Sequence, residues 1–94
     1  MEIWNQRPHY SEVSGKYLGE EPMAYFFAHV CSKGAHPKLK FEKRNIMLMT
    51  LVEHIIWDTR VPEGKMWDKV KDRKEEMQKL SASFHRTPLL FNPK

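Results

Sequence analysis

The longest apolar stretch of the chain lies between positions 46 and 57, and few polar residues interrupt it. At about 100° per residue, most of its side chains share one wide helical stripe, whereas Met47 and Trp57 fall outside it. We therefore predict a helix that begins near positions 37–41 and ends near Thr59. A helix that is apolar nearly all round exceeds what a small domain can cover, which indicates a partner. The stripe comprises Leu48, Met49, Leu51, Val52, Ile55 and Ile56.

Apolar residues at helical spacing predict two further helices. One covers residues 22–32, where Pro22 suits a first helical turn and Gly34 follows the end. The other covers residues 63–84, and Arg73 interrupts its stripe. The predicted fold is an all-α, three-helix domain in which the second and third helices form a long antiparallel hairpin. The two stripes comprise Met23, Phe26, Phe27, Val30 and Cys31, and Met66, Val70, Met77, Leu80 and Phe84.

Both ends of the chain are predicted to be arms outside these helices. Residues 1–20 contain turn-forming residues and form an irregular N-terminal arm, with a short edge strand near Ile3–Trp4. Two prolines make residues 86–94 an extended C-terminal tail. The tail is too apolar to remain free, so we expect Leu89, Leu90 and Phe91 to dock. Residues 1–94 are interpreted as one small helical domain.

Composition narrows the class of protein without identifying it. The chain has 94 residues, of which 40% are hydrophobic and 30% charged, as in ordinary globular domains. A single cysteine, Cys31, excludes an intramolecular disulfide and fits a reducing compartment. The N-terminus lacks the pattern of a secretory signal, and no apolar stretch is long enough to span a membrane. We expect a cytoplasmic protein, or one that works inside a host cell.

The net charge of +4 is concentrated in part around residues 38–44. Lysine and arginine there can neutralise phosphates, and Phe41 can stack on an unpaired base. Lys65, Lys69 and Arg73 follow one another along an edge of the third predicted helix, where they either contact a nucleic-acid backbone or cover apolar surface with their stems. The candidate nucleic-acid-binding residues are Lys38, Lys40, Phe41, Lys43, Arg44, Lys65 and Lys69.

Motifs for metal binding or catalysis are incomplete. His29, Cys31 and His36 fall short of the four ligands of a structural zinc site. Glu53-His54 has one of the two histidines of a metalloprotease helix. No local signature makes Cys31 a nucleophile. We therefore predict no catalytic residue, no metal site and no cofactor, although a site assembled only in three dimensions leaves no such pattern and keeps an enzyme as a third hypothesis.

The leading functional prediction is a small non-enzymatic interaction protein, a regulator, adaptor or inhibitor. It docks on a larger protein or on a second copy through the surplus apolar surface of the second helix. The alternative is a nucleic-acid-binding regulator, but without a helix-turn-helix motif, because both helices are about twenty residues long. No membrane and no small-molecule substrate is expected. The predicted interface residues are Met47, Trp57, Arg73, Leu89, Leu90 and Phe91.

Overall fold

An antiparallel ribbon of two short strands, and not a helical hairpin, organises the protein. The computed structural model describes the backbone of residues 2–32 and 34–90, and the side chains of residues 2–32 and 34–83. The ribbon consists of β1, Phe27–His29, and β2, Ile46–Leu48. The α-helices in the described residues are α1 (Glu2–Gln6), α2 (Leu51–Thr59) and α3 (Asp68–Leu90), and the 3₁₀ turns are Ala24–Phe26, Pro37–Leu39, Lys43–Asn45 and Lys65–Trp67.

The prediction of an all-α fold is wrong because the apolar run at positions 46–49 is a strand and its continuation. Ala28 lies opposite Met47 in the ribbon. Side chains of a strand alternate between its two faces, and both faces are covered here. Met47 and Met49 pack with a cluster that includes Trp67 and Val70 of the C-terminal half. Leu48 packs on the other side with Leu18, Trp4 and Phe26. A strand buried on both faces shows the same unbroken apolar run as a buried helix.

The second predicted helix exists only in its C-terminal half, as α2. Thr50 starts it with a capping box: its Oγ1 accepts a hydrogen bond from the Glu53 N–H at 3.2 Å. In return, Glu53 Oε1 accepts a hydrogen bond from the Thr50 N–H at 2.9 Å. Threonine followed three residues later by glutamate is a sequence signature of a helix start. The predicted end at Thr59 is correct, whereas the predicted beginning near 37–41 is wrong.

The helix predicted over residues 22–32 is also wrong. This segment contains the 3₁₀ turn Ala24–Phe26 and then β1. Its aromatic and β-branched residues favour extended backbone. The prediction relied instead on the spacing of its apolar residues, which also fits a helix. Beyond β1, the Val30 N–H donates a hydrogen bond to the Asn45 carbonyl at 2.8 Å, so the pairing continues past the strands themselves.

The third predicted helix corresponds to α3, which begins at Asp68 and ends at Leu90. Val70 and Met77 are buried as predicted for its stripe, but Met66 is exposed and the neighbouring Trp67 is buried instead. The helix packs against the turns Pro37–Leu39 and Lys43–Asn45. It does not pack lengthwise against α2, whose main contact is with the turn Ala24–Phe26. The predicted hairpin of the second and third helices is therefore absent.

The two predicted arms also differ from the structure. The N-terminal arm begins with α1, so the edge strand predicted near Ile3–Trp4 is wrong. Trp4 is buried against the ribbon, and an isolated bridge between Tyr10 and Tyr17 closes the following turn. The C-terminal segment is helical up to Leu90, which contradicts an extended tail over 86–90. Residues 91–94 of the predicted tail lie outside the described residues.

Candidate functional site

Helix α2 presents three apolar side chains to solvent on one face. Leu51 is 45% exposed, Val52 64% and Ile55 53%. At about 100° per residue, these three positions fall within one arc of about 100° around the helix axis. Contiguous exposed apolar side chains mark interaction surfaces more often than scattered ones do. We refer to Leu51, Val52 and Ile55 as the α2 apolar face.

The opposite side of α2 is fixed to the body of the protein. Glu53 is buried and accepts a hydrogen bond from the Ser11 hydroxyl at 2.6 Å. The Trp57 indole N–H donates to the Val30 carbonyl at 3.3 Å, and its ring stacks on Trp67 with 6.0 Å between centroids. These contacts leave the helix little freedom to rotate, so the α2 apolar face stays turned outward.

Burial alone raises the pKa of the Glu53 carboxyl group, but the hydrogen bonds it accepts have the larger combined effect. Ser11, Ser14 and Thr50 donate these bonds and hold the pKa of Glu53 below its ordinary value of 4.5. Glu53 is therefore an ionised structural anchor. The adjacent His54 also has defined partners: its Nδ1 lies 2.7 Å from the Tyr25 carbonyl oxygen and its Nε2 lies 3.2 Å from Asp58 Oδ2. Both residues of the partial metalloprotease motif thus participate in contacts within the fold.

Two further apolar side chains lie on the segment that packs against α2. Met23 and Tyr25 are both exposed. Met23 precedes the turn Ala24–Phe26, and Tyr25 belongs to it. This turn contacts α2, and the Tyr25 carbonyl oxygen lies within hydrogen-bond distance of His54 on that helix. They place exposed apolar side chains on a segment that contacts the same helix as the α2 apolar face.

Three of the residues predicted as an interface, Met47, Trp57 and Arg73, are not part of the α2 apolar face. Met47 is 0% exposed and offers no surface to a partner. Trp57 is partly buried on the opposite side of α2. Arg73 joins α3 to the turn Lys43–Asn45, since its Nη1 donates to the Arg44 carbonyl at 2.8 Å. The backbone of Leu89 and Leu90 belongs to α3, their side chains lie outside the described set, and Phe91 lies outside the described residues altogether.

The predicted basic segment lies in turns beside the ribbon, and all its candidate residues are exposed. Phe41 is 87% exposed, and the Lys40 ammonium lies 5.2 Å from the centre of its ring. Lys43 Nζ lies 2.7 Å from Glu2 Oε1, a contact that holds the pKa of Glu2 below its ordinary value. Lys38 makes no ion pair within the part of the chain whose side chains are described.

Arg44, at the end of the basic segment, is largely neutralised. Its Nε lies 2.8 Å from Glu42 Oε2 and its Nη1 lies 3.5 Å from Glu76 Oε2. The hydrogen bond from Arg44 holds the pKa of the Glu42 carboxyl below its ordinary value. Free positive charge in the segment is therefore concentrated at its N-terminal half, next to Phe41.

An apolar pocket of about 490 Å³ adjoins this basic segment. Phe27 and Ile46 contribute apolar walls, and Phe41, Lys40 and Lys43 also line it. Lys65 and Lys69 are not among its lining residues. Lys65 is exposed in the turn before α3, and Lys69 Nζ lies 3.7 Å from Glu12 Oε1. The seven candidate nucleic-acid-binding residues thus fall into two groups.

His29, Cys31 and His36 line one pocket of about 500 Å³, and no residue of the α2 apolar face is among its lining residues. No group of three or more histidine, cysteine, aspartate or glutamate side chains with the geometry to hold a metal ion occurs among the described residues. His36 Nδ1 lies 3.0 Å from Ser81 Oγ. Burial raises the pKa of the Cys31 thiol, against a smaller opposing effect of Lys74, so the thiol is not activated as a nucleophile.

No helix in the described residues is long and apolar enough to cross a membrane. Comparisons with known protein families, curated proteins and solved structures found no match to this chain.

Proposed function

We propose that this protein is a non-enzymatic interaction module that docks helix α2 onto a larger protein. The observation that supports the proposal is the α2 apolar face, with three apolar side chains between 45% and 64% exposed on a helix held in place from behind. Leaving these side chains in water is unfavourable, and covering them stabilises a complex. The proposed role is that of a regulator, adaptor or inhibitor.

The proposed partner presents an apolar groove to α2. A standard interface involves about 20–30 residues on each side. The α2 apolar face with Met23 and Tyr25 is much smaller, which favours a groove that surrounds the helix over a flat contact between two copies. Helix-in-groove recognition uses apolar anchors spaced along one helical face, as at Leu51 and Ile55.

The test compares Val52→Glu with Val61→Glu. Both replace an exposed valine with a carboxylate, but Val61 lies beyond the end of α2. The partner is first trapped by crosslinking in the source cells and identified, and the complex is then reconstituted from purified components. We expect Val52→Glu to remain folded and to weaken the complex at least about 30-fold, as loss of an interface hot spot does. Val61→Glu should bind as the wild type does.

Three results would contradict the proposal. If Val52→Glu unfolds the protein, the face belongs to its own core. If the purified chain forms a dimer that Val52→Glu dissociates, the occupant is a second copy. If both glutamate variants bind the partner equally well, the interface lies elsewhere. Circular dichroism and analytical ultracentrifugation separate the first two results.

A second candidate function is single-stranded nucleic-acid binding, which the exposure of Phe41 beside Lys38 and Lys40 supports. An exposed ring next to free cations suits a base with its phosphate. We expect Phe41→Ala to weaken binding of a single-stranded oligonucleotide about tenfold at low salt, because each stacked base contributes about 1–3 kcal/mol. Lys79→Gln, a charge change on α3, is the control. Absence of oligonucleotide binding by the wild type would exclude this function.

The proposed site of action is the cytoplasm, or the interior of a host cell. Cys31 is buried and free, and a free thiol is retained most readily in a reducing compartment. Fractionation of source cells with an antibody against the chain tests this placement.

A further inference from the structure

The pocket beside Cys31 concentrates positive charge that forms no ion pair among the described side chains. It is formed by the loop after β1, the segment that follows α2, and one side of α3. Arg60, Lys71 and Lys74 line it, and none of them makes an ion pair with the part of the chain whose side chains are described. The acidic residue of the lining, Asp58, already contacts His54 at 3.2 Å.

The same pocket has an apolar wall. Val61 lines it and is 82% exposed, so a ligand can cover much of its side chain. The Trp57 ring lines it as well, and Lys74 Nζ lies 5.5 Å from the centre of that ring. This cation–π contact keeps the Lys74 ammonium group at the pocket. The fold thus places positive charge and apolar surface together in one concave site.

We propose that this pocket binds a small organic anion, a carboxylate or phosphate ester that carries an apolar group. Arg60, Lys71 and Lys74 would hold the anionic end, and Val61 and Trp57 would cover the apolar part. Clefts lined by charge of one sign attract ions of the opposite sign, and the volume of about 500 Å³ suits a small molecule. The site is separate from the α2 apolar face, because it shares no lining residue with Leu51, Val52 or Ile55.

The experiment titrates the full chain with phenyl phosphate and with benzoate, using phenol as the neutral probe, and follows amide shifts by NMR. We expect at least one anion to bind at low salt and to shift residues around Cys31, Val61 and Lys74, with no binding of phenol. The double variant K71Q/K74Q should weaken binding about tenfold or more, because it removes two charged partners of the anion. K16Q/K79Q removes the same charge at exposed positions outside both proposed binding sites and should bind as the wild type does.

The anion that binds more tightly identifies the preferred head group, phosphate or carboxylate, and binding of either anion supports the proposal. The proposal is overturned if neither anion binds at millimolar concentration, if phenol binds as tightly, or if K16Q/K79Q loses as much affinity as K71Q/K74Q. All four charged positions are exposed or half-buried, so the variants should remain folded. Val61→Glu should weaken anion binding while Val52→Glu leaves it unchanged, the reverse of their expected effects on the protein complex.

Discussion

The side-chain amide of Asn45 bonds to both backbone polar groups of Cys31. Its Oδ1 accepts a hydrogen bond from the Cys31 N–H at 2.8 Å, and its Nδ2 donates to the Cys31 carbonyl at 2.9 Å. A side chain thereby takes the place of a strand and continues the ribbon beyond the His29–Ile46 pair. This contact also fixes the start of the loop that lines the pocket beside Cys31, whose lining cations are Arg60, Lys71 and Lys74 and which is called the cationic pocket below.

We predict that Asn45→Ala destabilises the protein by about 2–4 kcal/mol, because two buried backbone groups lose their partners. Asn45 is 0% exposed, so water does not replace the amide without a rearrangement. The measurement is the free energy of unfolding in urea. Asn5→Ala, at an exposed position of α1, is the control and should change that energy by less than about 0.5 kcal/mol. Equal effects of the two substitutions would show that the amide bridge contributes nothing.

The sequence predicted the presence of the long helix, over residues 63–84 where α3 covers Asp68–Leu90, and it did not predict the ribbon. Helix α3 repeats its buried positions over several turns, as at Val70 and Met77, and only a helix gives that spacing. The strands are three residues each, too short for alternation to stand out from a buried helix. The capping pair Thr50 and Glu53 was the local signal that separates the strand from α2.

The candidate site was harder to predict because exposure depends on distant contacts. Leu51, Val52 and Ile55 have the composition of core residues. They face outward because Ser11 binds Glu53 from 42 positions away in the chain and sets the rotation of α2. The exposed cations near Phe41 were predictable, since lysine is rarely buried. The ion pair between Arg44 and Glu76 was not predictable, because it requires α3 to pack against the turn Lys43–Asn45.

The pKa of Glu53 predicts a loss of stability in acid. Because it lies below the unfolded value of 4.5, the ionised carboxylate stabilises the fold above that pH. This contribution is lost as the pH falls through the folded-state pKa. We expect the stability of the wild type to approach that of Glu53→Gln as the pH falls below 4.5. Urea unfolding at several pH values measures the difference.

Glu21→Gln is the control for this pH experiment, because it removes the same charge at an exposed position outside the Glu53 network. A constant difference between the wild type and Glu53→Gln from pH 7 to pH 3 would contradict the assignment. The carboxylate of Glu53 would then be no better stabilised in the folded state than in the unfolded chain.

Burial and a raised pKa predict that the Cys31 thiol is unreactive in the folded protein. The thiolate is the reactive form, and both effects reduce its amount and its access to reagent. We expect a chromogenic disulfide reagent to modify the native chain slowly and the urea-unfolded chain at the rate of a free cysteine. Rapid modification of the native chain, with its circular dichroism unchanged, would show that the loop beside the cationic pocket opens readily.

Met47 lies outside the predicted apolar stripe and was predicted to be an interface residue, but it is buried. Val52 lies within that stripe, but it is exposed. Met47 is fully buried in the ribbon, so we expect Met47→Ala to destabilise the protein by about 2–5 kcal/mol through the cavity it leaves. Val52→Ala removes an exposed side chain and should change the free energy of unfolding by less than about 0.5 kcal/mol. Urea unfolding of both variants measures this contrast.

The contrast decides which surface is available for binding. If Met47→Ala is mild and Val52→Ala is severe, the Val52 side of α2 is the core and the ribbon is the surface. The proposed docking face then fails together with the fold on which it depends. If the expected order holds, Met47→Glu unfolds the chain and reports nothing on a partner. Substitutions at Val52 then test binding without disturbing the core.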